Sequence, residues 1–375
     1  MFKFSQVKSI SEICKTEWKN LVEDKNPFLN YNFFMAMERS GCTSLQSGWE
    51  PNHFLVKDKD IVVGLIPNFK KNNSFGEYIF DQSWANAYAS LGMQYYPKFL
   101  SAIPFTPINS NKLFFKKGSK NLLIFQELKE FLNSKEISSS HFNFVYRDQS
   151  SLLEKHDFLT RKGIQYHWYN KNYNSFQDFL DNLKRRKKKN IIKERSFIFN
   201  NGINIEAKVG KEISDSDLDF FYNCYLRTID KKWANKYLNL KFFHLLFSCD
   251  VVDQMLIFIA RDKNKQKIAS ALSFFDNTKL FGRYWGSLID VPFLHFELCY
   301  YQSIEFAIKN KINLIESGAQ GEHKIARGYE PSIVYSNHWI KDKKIKIAIK
   351  EFLLRESSNI HETLQYLKKL LPYKD

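Results

Sequence analysis

Residues 293–340 read FLHFELCYYQSIEFAIKNKINLIESGAQGEHKIARGYEPSIVYSNHWI. Apolar side chains recur at helical spacing from position 294 to position 308, which predicts a helix over 293–311. The alternation over 312–316 and the apolar run over 333–340 predict two strands. A helix that packs on a sheet and delivers the chain to the sheet edge is typical of an α+β fold.

The turn between these two strands, residues 317–329, is the first candidate site. Its small residues cannot fill a core, yet a carboxylate, an imidazole and an ammonium follow one another at Glu322, His323 and Lys324. In a catalytic interpretation Lys324 stabilises a developing oxyanion, while Glu322 or His323 removes a proton from an attacking amine. The expected substrate-binding residues around them are Glu316, Gln320 and Arg327. The competing interpretation is a solvated connection whose charges have no function.

The composition is that of a globular protein with room for two domains. The chain has 375 residues, of which 44% are hydrophobic and 26% are charged. It contains 56 lysines and arginines against 40 acidic residues, a formal net charge of +16. Such an excess of positive charge favours anionic binding partners, for example nucleotide diphosphates, RNA or anionic lipid.

The cysteines and the N-terminus favour the reducing cytoplasm. The five cysteines are widely spaced and never form a C-x-x-C pair, so neither a disulfide framework nor a zinc ribbon is predicted. The first residues lack the pattern of a signal peptide, and no window approaches the roughly 18 apolar residues of a membrane span. We expect a soluble cytoplasmic protein with at most peripheral membrane contact.

The predicted elements occur in the same order twice. The first half contains helices over 8–22, 28–40 and 121–133 and strands over 49–58, 61–70, 78–82 and 140–147. The second half contains helices over 176–200, 215–229 and 240–249, strands over 255–261, 268–275 and 280–287, and then the helix and strand described above. This order predicts two tandem α+β units, 1–162 and 163–375, with a C-terminal helix over 345–370.

A basic segment lies early in the second half. Residues 182–195 carry eight basic side chains and one acid in a helical stretch. Spacing of four residues joins Lys184 to Lys188 and Arg185 to Lys189, which would place a cationic stripe on one helix face able to hold a diphosphate or an RNA backbone. Most runs of this kind are simply solvated faces.

The strand over 280–287 ends in a third candidate group, Arg283, Tyr284 and Trp285. Aromatic strand residues usually belong to a core, but an arginine directly after a glycine can bind a carboxylate or a phosphate from a strand end. Glu297, on the helix that follows, is expected to face the same substrate. His295 and Cys299 are spaced by four residues, but too few further ligands accompany them for a metal site to be predicted.

Several common catalytic motifs are missing. The chain has no G-x-x-x-x-G-K-[ST] loop, G-x-G-x-x-G fingerprint, G-x-S-x-G elbow or H-E-x-x-H helix. These absences argue against ATPase, dehydrogenase, serine hydrolase and zinc peptidase readings. Any reaction would depend mainly on the positioning of substrates.

Several stretches resemble the FemAB-like family associated with peptidoglycan biosynthesis or recognition. The most specific are LHFELCYYQSIEFAI at 294–308 and ESGAQGEHKIARGYEP at 316–331, and others lie at 26–42, 75–88, 95–108 and 280–286. That family is grouped with the GNAT acyltransferases and with the FemABX aminoacyltransferases, which carry two tandem GNAT-like units. The resemblance implies the same architecture here, with Gly321, His323 and Lys324 at the family's late strand-to-loop passage.

The resemblance also implies a reaction class. FemABX enzymes move an amino acid from aminoacyl-tRNA to the amine of a cell-wall peptide on a UDP-linked or lipid-linked precursor. The present chain lacks the coiled-coil arm of some FemABX proteins, and it lacks the Q/R-x-x-G-x-G/A loop of acetyl-CoA-dependent GNATs between 287 and 296. The expectation is therefore acyl or aminoacyl transfer to an amine, with aminoacyl-tRNA or acyl-CoA as donor and an anionic substrate. An acetyl-CoA N-acetyltransferase and a non-catalytic module that binds precursors or RNA remain the alternatives.

Overall fold

The computed structural model describes residues 2–118, 121–231, 235–318 and 321–374. Its strands are, in chain order, β1 (Phe2–Val7), β2 (Trp49–Pro51), β3 (His53–Asp58), β4 (Ile61–Ile66), β5 (Phe69–Lys71), β6 (Lys98–Ser101), β7 (Phe114–Phe115), β8 (Ser139–Val145), β9 (Leu159–Tyr169), β10 (Asn204–Val209), β11 (Met255–Arg261), β12 (Lys267–Phe275), β13 (Lys279–Ser287), β14 (Leu314–Glu316) and β15 (Glu330–Ile340).

The α-helices of the described residues are α1 (Lys15–Leu21), α2 (Tyr31–Arg39), α3 (Gln82–Ser90), α4 (Asn121–Asn133), α5 (Arg147–Lys155), α6 (Phe176–Asp181), α7 (Arg185–Asn200), α8 (Asp215–Lys231), α9 (Leu240–Phe247), α10 (Leu294–Phe296), α11 (Gln302–Lys309) and α12 (Lys343–Lys369). A π-helical segment, Glu297–Tyr301, joins α10 to α11, and a 3-10 helix covers Glu322–Arg327.

The chain forms two compact units. The first contains Met1–Gly163 and Ile333–Glu362, and the second contains Ile164–Ser332 and Thr363–Asp375. Each unit is a mixed sheet flanked by helices, so the predicted α+β class is confirmed. The predicted C-terminal helix is also confirmed, as α12.

The first unit holds two groups of strands. β1, β3, β4 and β7 form an antiparallel sheet, while β2, β5, β6, β8 and the later part of β15 follow one another in the second. Within the second group β6 and β8 run parallel. Helix α4 buries Phe125, Leu128 and Leu132 against strand residues, because these positions recur at helical spacing on one face. A separate core of this unit joins α3 to the first half of α12.

The second unit is built on the meander predicted from the sequence. β10, β11, β12 and β13 pair antiparallel in that order. β14 then runs parallel to β13, and residues 167–169 of β9 pair antiparallel with β14. Its core takes Ile191 and Ile198 from α7 and Leu298, Tyr301 and Ile304 from the helix after β13.

Some predicted elements differ from the structure. The helix expected over 8–22 is a 3-10 turn followed by α1, and the strand expected over 49–58 is divided into β2 and β3. The strand expected over 78–82 is wrong, because Asp81 turns its carboxylate to Lys98 and α3 begins at the next residue. The single helix expected over 176–200 is interrupted, since Leu183 bridges to Tyr373 and the Lys184 amide donates to the Pro372 carbonyl. Strands β1, β6, β7, β9 and β10 and helices α3 and α5 were not predicted.

Candidate functional site

The helix that leads into the candidate loop carries a π-helical segment. Residues Glu297–Tyr301 form it, and Glu297, Tyr300 and Tyr301 are all buried. Single π turns inside α-helices are rare and often occur at functional sites. The altered winding presents an acid and two phenols to the residues of α7 and of the loop.

Arg195 of α7 holds the start of this segment. Its guanidinium donates to Glu297 Oε1 at 2.9 Å through Nη2 and to Glu305 Oε1 at 2.8 Å through Nη1. It also stacks on the Phe176 ring, 4.4 Å from the ring centroid. Burial lowers the pKa of Arg195, but hydrogen bonds to both carboxylates outweigh that effect and raise it. Glu297, expected to face substrate, is instead committed to this arginine.

The preceding residue, Glu194, holds the loop itself. Its Oε1 accepts from Arg327 Nη2 at 2.8 Å, and its other oxygen accepts from the Tyr301 hydroxyl. Arg327 lies over the Phe296 ring at 3.4 Å from the centroid. It also donates from Nη1 to the His323 carbonyl at 2.8 Å. Two adjacent residues of α7 therefore fix both the helix and the 3-10 turn that carries the predicted catalytic residues.

Lys324 is buried inside the loop. Only 4% of the residue is exposed, and its Nζ donates to the carbonyls of Ser317 at 2.7 Å and Gly318 at 3.2 Å. Burial lowers the pKa of Lys324 to about 8. The ammonium thus closes the turn after β14, and at most one of its three N–H bonds is left for a substrate oxygen.

His323 faces outward beside a buried tyrosine. Its side chain is largely exposed, and Nε2 lies 2.9 Å from the Tyr300 hydroxyl. Gly321 has φ of +114°, and a Cβ there would approach His323 Cε1 to 2.6 Å, so this ring position depends on glycine. Partial burial and the nearby Arg327 lower the pKa of His323. The imidazole is therefore held neutral near pH 7 and can accept a proton.

The loop starts where two parallel strands separate. β13 and β14 pair only over Lys279–Phe281 and Leu314–Glu316, while β13 continues to Ser287. Glu316 is 1% exposed and lies 3.5 Å from Lys279 Nζ, so it belongs to the sheet and not to an open surface. Arg283, Tyr284 and Trp285 occupy the separated part of β13 and are half-buried.

A small cavity adjoins this part of β13. Its volume is about 160 Å³, and its walls are mostly apolar, formed by Trp285, Ile289, Val291, Phe293 and Phe296. His295 also lines the cavity. Its ring centroid lies 5.2 Å from that of Trp285 and 6.3 Å from that of His323. The cavity therefore lies close to the exposed imidazole and suits a small apolar group.

The basic residues of α7 are divided between solvent and an ion pair. Lys184, Arg185 and Lys189 are exposed, whereas Lys188 pairs with Asp181. The exposed face also includes Arg186 and Lys193, which the sequence reading did not select. We call Arg185, Arg186, Lys189 and Lys193 the basic stripe.

The structure thus joins Arg327 directly to His323 and, through the adjacent Glu194 and Arg195, links the loop to Glu297. Lys324 lies buried in the same loop, and Glu322 is exposed. Gln320 lies outside the described residues. The sequence reading missed Glu194, Arg195, Phe296, Tyr300 and Tyr301. A signal was available, because Glu194 is the one acid in the basic run and Phe296 and Tyr300 are four residues apart on a helix.

Within residues 2–118, 121–231, 235–318 and 321–374, no three His, Cys, Asp or Glu side chains form a group suited to a metal ion. In the same part of the chain, no helix combines the length and apolar character needed to cross a lipid bilayer.

Comparison with known proteins places these features in a family. The model of the FemAB-like family, described as peptidoglycan biosynthesis/recognition, matches residues 9–375. No curated protein sequence matches the chain. Among solved structures, the C-terminal domain of a putative lysylphosphatidylglycerol synthetase from Agrobacterium fabrum has a TM-score of 0.56 at 9% identity, covering 93% of this chain and 96% of that one.

Two other solved structures match most of the chain. FemX has a TM-score of 0.54 at 10% identity and covers 92% of this chain and 100% of its own. A tandem GNAT protein from the clavulanic acid biosynthesis pathway has a TM-score of 0.46 at 8% identity, with 91% and 99% covered. Identities this low are evidence of fold alone. The fold shared with FemX confirms the architecture that the resemblance to FemABX proteins implied.

Proposed function

Because this chain belongs to the FemAB-like family of peptidoglycan biosynthesis or recognition, we propose that it transfers an acyl or aminoacyl group to the amine of a cell-wall peptide precursor. The observation that carries the proposal is the pair formed by Tyr300 and His323. A largely exposed imidazole with a lowered pKa, hydrogen-bonded to a buried phenol, is suited to take a proton from an amine.

The reaction requires little beyond alignment and one proton transfer. The amine nitrogen attacks the carbonyl carbon of an ester or thioester donor, a C–N bond forms, and the C–O or C–S bond breaks. The amine proton goes to Nδ1 of His323, in the tautomer whose Nε2–H is donated to the Tyr300 oxygen. The imidazolium then returns that proton to the leaving oxygen or sulfur. The remaining N–H of Lys324 is available to the oxyanion.

The other predicted residues receive distinct roles in this proposal. Arg283, Tyr284 and Trp285 hold the donor along the separated part of β13, with the acyl group in the adjacent cavity. Glu322, at the exposed edge, binds the ammonium form of the acceptor. Glu297 and Glu316 have structural roles: Glu297 pairs with Arg195, and Glu316 pairs with Lys279.

The basic stripe supports a donor rich in phosphate. Four exposed cations lie on one face of α7, whose Glu194 and Arg195 also fix the loop. Neutralisation of phosphates by such a stripe makes binding salt-dependent. We assign the donor phosphates to this stripe together with Lys184.

The test is a transfer assay with defined donors. The purified chain is incubated with aminoacyl-tRNA or with acetyl-CoA, and with a UDP-linked muropeptide that carries a free lysine amine. Mass spectrometry then detects the added group. We expect aminoacylated muropeptide with the tRNA donor, and a loss of about a hundredfold in rate for His323→Ala, as is usual for the loss of a general base.

The matched control is His361→Ala, which removes an exposed histidine on α12. It should retain the wild-type rate. Product only with acetyl-CoA would assign the chain to N-acetyl transfer, while precursor binding without any product would overturn the proposal in favour of recognition. A His323→Ala rate equal to that of the wild type would remove His323 from the mechanism.

A further inference from the structure

A short loop of the first unit presents aromatic side chains to solvent. It joins β5 to α3, and we call residues 75–80 the aromatic loop. Phe75 is 60% exposed, Tyr78 is 40% exposed and Phe80 is 73% exposed. Single exposed apolar residues are ordinary, but three aromatic side chains within six residues form a patch that usually marks an interaction site.

Glu77 of the loop and the adjacent Asp81 point the other way. Glu77 and Asp81 are 3% and 4% exposed and surround the ammonium of Lys98, which is fully buried. Lys98 Nζ donates to Glu77 Oε2 at 2.9 Å and also to Asp81. The two carboxylates are thereby withdrawn from the surface and paired with a cation. The outward face of the loop consequently carries aromatic rings without the negative charge of its own acids.

The backbone of the aromatic loop is fixed from inside. The Phe75 carbonyl accepts from Trp49 Nε1 at 2.9 Å and from Lys71 Nζ at 3.2 Å. The Phe80 carbonyl accepts from Arg161 Nη1 at 2.8 Å. These bonds join both ends of the loop to buried or half-buried side chains, so the aromatic rings are presented without help from a partner.

Glycine is required in the middle of the loop. Gly76 has φ of +75°, and a Cβ there would lie 2.5 Å from Cδ1 of the buried Phe105. The loop is therefore pressed onto the core at this point. A loop that is already ordered loses little conformational entropy on binding, which favours association through its exposed side chains.

We propose that the aromatic loop inserts into the surface of an anionic lipid bilayer. Phenylalanine and tyrosine favour the boundary between headgroups and acyl chains, where apolar rings are buried and a phenol stays wet. The net charge of +16 attracts the chain to an anionic surface. The exposed residues next to the loop, Asn72, Gln82 and Ser83, are uncharged and add no repulsion.

The net charge of the chain is complementary to an anionic bilayer. Basic residues that come close to the membrane surface add electrostatic attraction to the burial of the rings. The rings supply the short-range contact and the charge supplies the long-range one. Peripheral insertion needs no membrane-spanning helix and is independent of the transfer reaction proposed above.

The experiment is co-sedimentation with vesicles that contain phosphatidylglycerol and phosphatidylcholine in equal amounts, compared with vesicles of phosphatidylcholine alone. The full chain should bind the anionic vesicles, and more weakly as salt rises. Phe75→Ser combined with Phe80→Ser should lower the partition coefficient at least about tenfold, because two large apolar groups no longer leave water.

The matched control combines Ile61→Ser with Leu122→Ser. These residues of the same unit, on β4 and α4, are 64% and 71% exposed, so the control removes a similar apolar area outside the loop. It should bind within about twofold of the wild type on the same area argument. Circular dichroism checks that both double variants are folded.

A second measurement tests insertion directly. Phe80→Trp places an indole at the most exposed of the three aromatic positions, and lipids brominated near the headgroup should quench its added fluorescence. A wild-type chain that does not bind anionic vesicles would overturn the proposal. So would a loop double variant that binds as the wild type does, since the contact would then belong to basic surfaces such as α7. Because these vesicles contain no cell-wall precursor, neither result bears on amine transfer.

Discussion

Arg327 donates a hydrogen bond from Nη2 to Glu194 Oε1 over 2.8 Å, so the basic helix holds the candidate loop through an ion pair. The same guanidinium reaches the carbonyl of His323 and covers the ring of Phe296. The position of the exposed imidazole therefore depends on a carboxylate of α7 that does not touch it. The helix that carries the basic stripe is thus joined to the loop by this ion pair.

Glu194→Gln should lower transfer without unfolding the chain. The amide keeps the volume of the side chain but loses the charge that holds Arg327, so the loop and His323 lose their fixed position. We expect the transfer rate to fall about tenfold, which corresponds to roughly 1.4 kcal/mol in the barrier. Steady-state kinetics, with the donor that the transfer assay identifies, would measure this change in rate.

The control for this variant is Glu356→Gln, which breaks the 2.8 Å pair with Arg161 Nε in the first unit. Glu356→Gln should lower the free energy of unfolding by a similar amount and leave the transfer rate unchanged. Equal rate losses in the two variants would show that Glu194 acts only through stability.

Lys324→Met should change how stability depends on pH. The pKa of Lys324 is about 8 in the folded protein, against the usual 10.5. Between these values the unfolded chain binds the proton and the folded protein does not, so the wild type gains stability as pH rises through this window. The methionine side chain does not titrate. The unfolding free energy of the wild type minus that of the variant should therefore increase from about pH 8 to about pH 10.

Urea unfolding of both proteins at the two ends of that range would measure the effect. Lys71, whose pKa burial also lowers, to about 7, is present in both proteins and cancels in the difference. A difference that stays flat with pH would show that Lys324 is not buried as described.

Acid should destabilise the first unit through a buried histidine pair. His141 and His338 are almost fully buried, and their Nδ1 atoms lie 2.7 Å apart. Burial holds the pKa of each well below its usual value. The unfolded chain therefore takes up protons as pH falls below about 6.5 while the folded pair stays neutral, so stability is lost in that direction.

His141→Gln should weaken this acid dependence, since the amide cannot be protonated. His361→Gln on the exposed face of α12 should leave it unchanged. Thermal unfolding followed from pH 7.5 to pH 5, roughly the range in which histidine titrates, gives the comparison. An identical acid slope for wild type and His141→Gln would contradict the assignment.

Two glycines of β13 should respond in opposite ways to alanine. A Cβ at Gly286 would lie 1.8 Å from the Cys224 carbonyl oxygen of α8, and backbone cannot yield at low cost. We expect Gly286→Ala to lower the unfolding free energy by about 3 kcal/mol or more. Gly282→Ala meets nothing closer than 3.7 Å and should change stability by less than about 1 kcal/mol.

Chemical denaturation of the two variants measures the contrast. Comparable losses at the two positions would mean that α8 does not approach β13 as closely as described. The Gly282 variant has a second use, because its methyl group lies beside Ser317, where β13 and β14 separate. A folded Gly282→Ala protein with weakened donor binding would support binding at that point.

Much of the fold followed from local pattern. The limits predicted for the helix over 121–133 and for the strand over 255–261 coincide with α4 and β11, since both segments have an uninterrupted apolar period. The strand predicted over 78–82 was wrong because aromatic composition favours strands, whereas Asp81 of that segment and the preceding Glu77 are fixed by Lys98, 17 and 21 residues further along the chain. Propensity describes neighbours in sequence and contains no information on such a partner.

The sequence by itself determined the α+β class, the meander over 255–287, the helix that follows it and the loop over 317–329, because apolar period and small residues act over a few positions. Only the tertiary structure decided that residues 333–362 belong with the first unit and that Lys324 closes its own turn. It alone decided that Glu194 and Arg195 hold the π-helical segment and the loop. The ion pairs of Glu194 and Arg195 join charges more than a hundred residues apart in the chain, and a buried charge is stable only when it is paired.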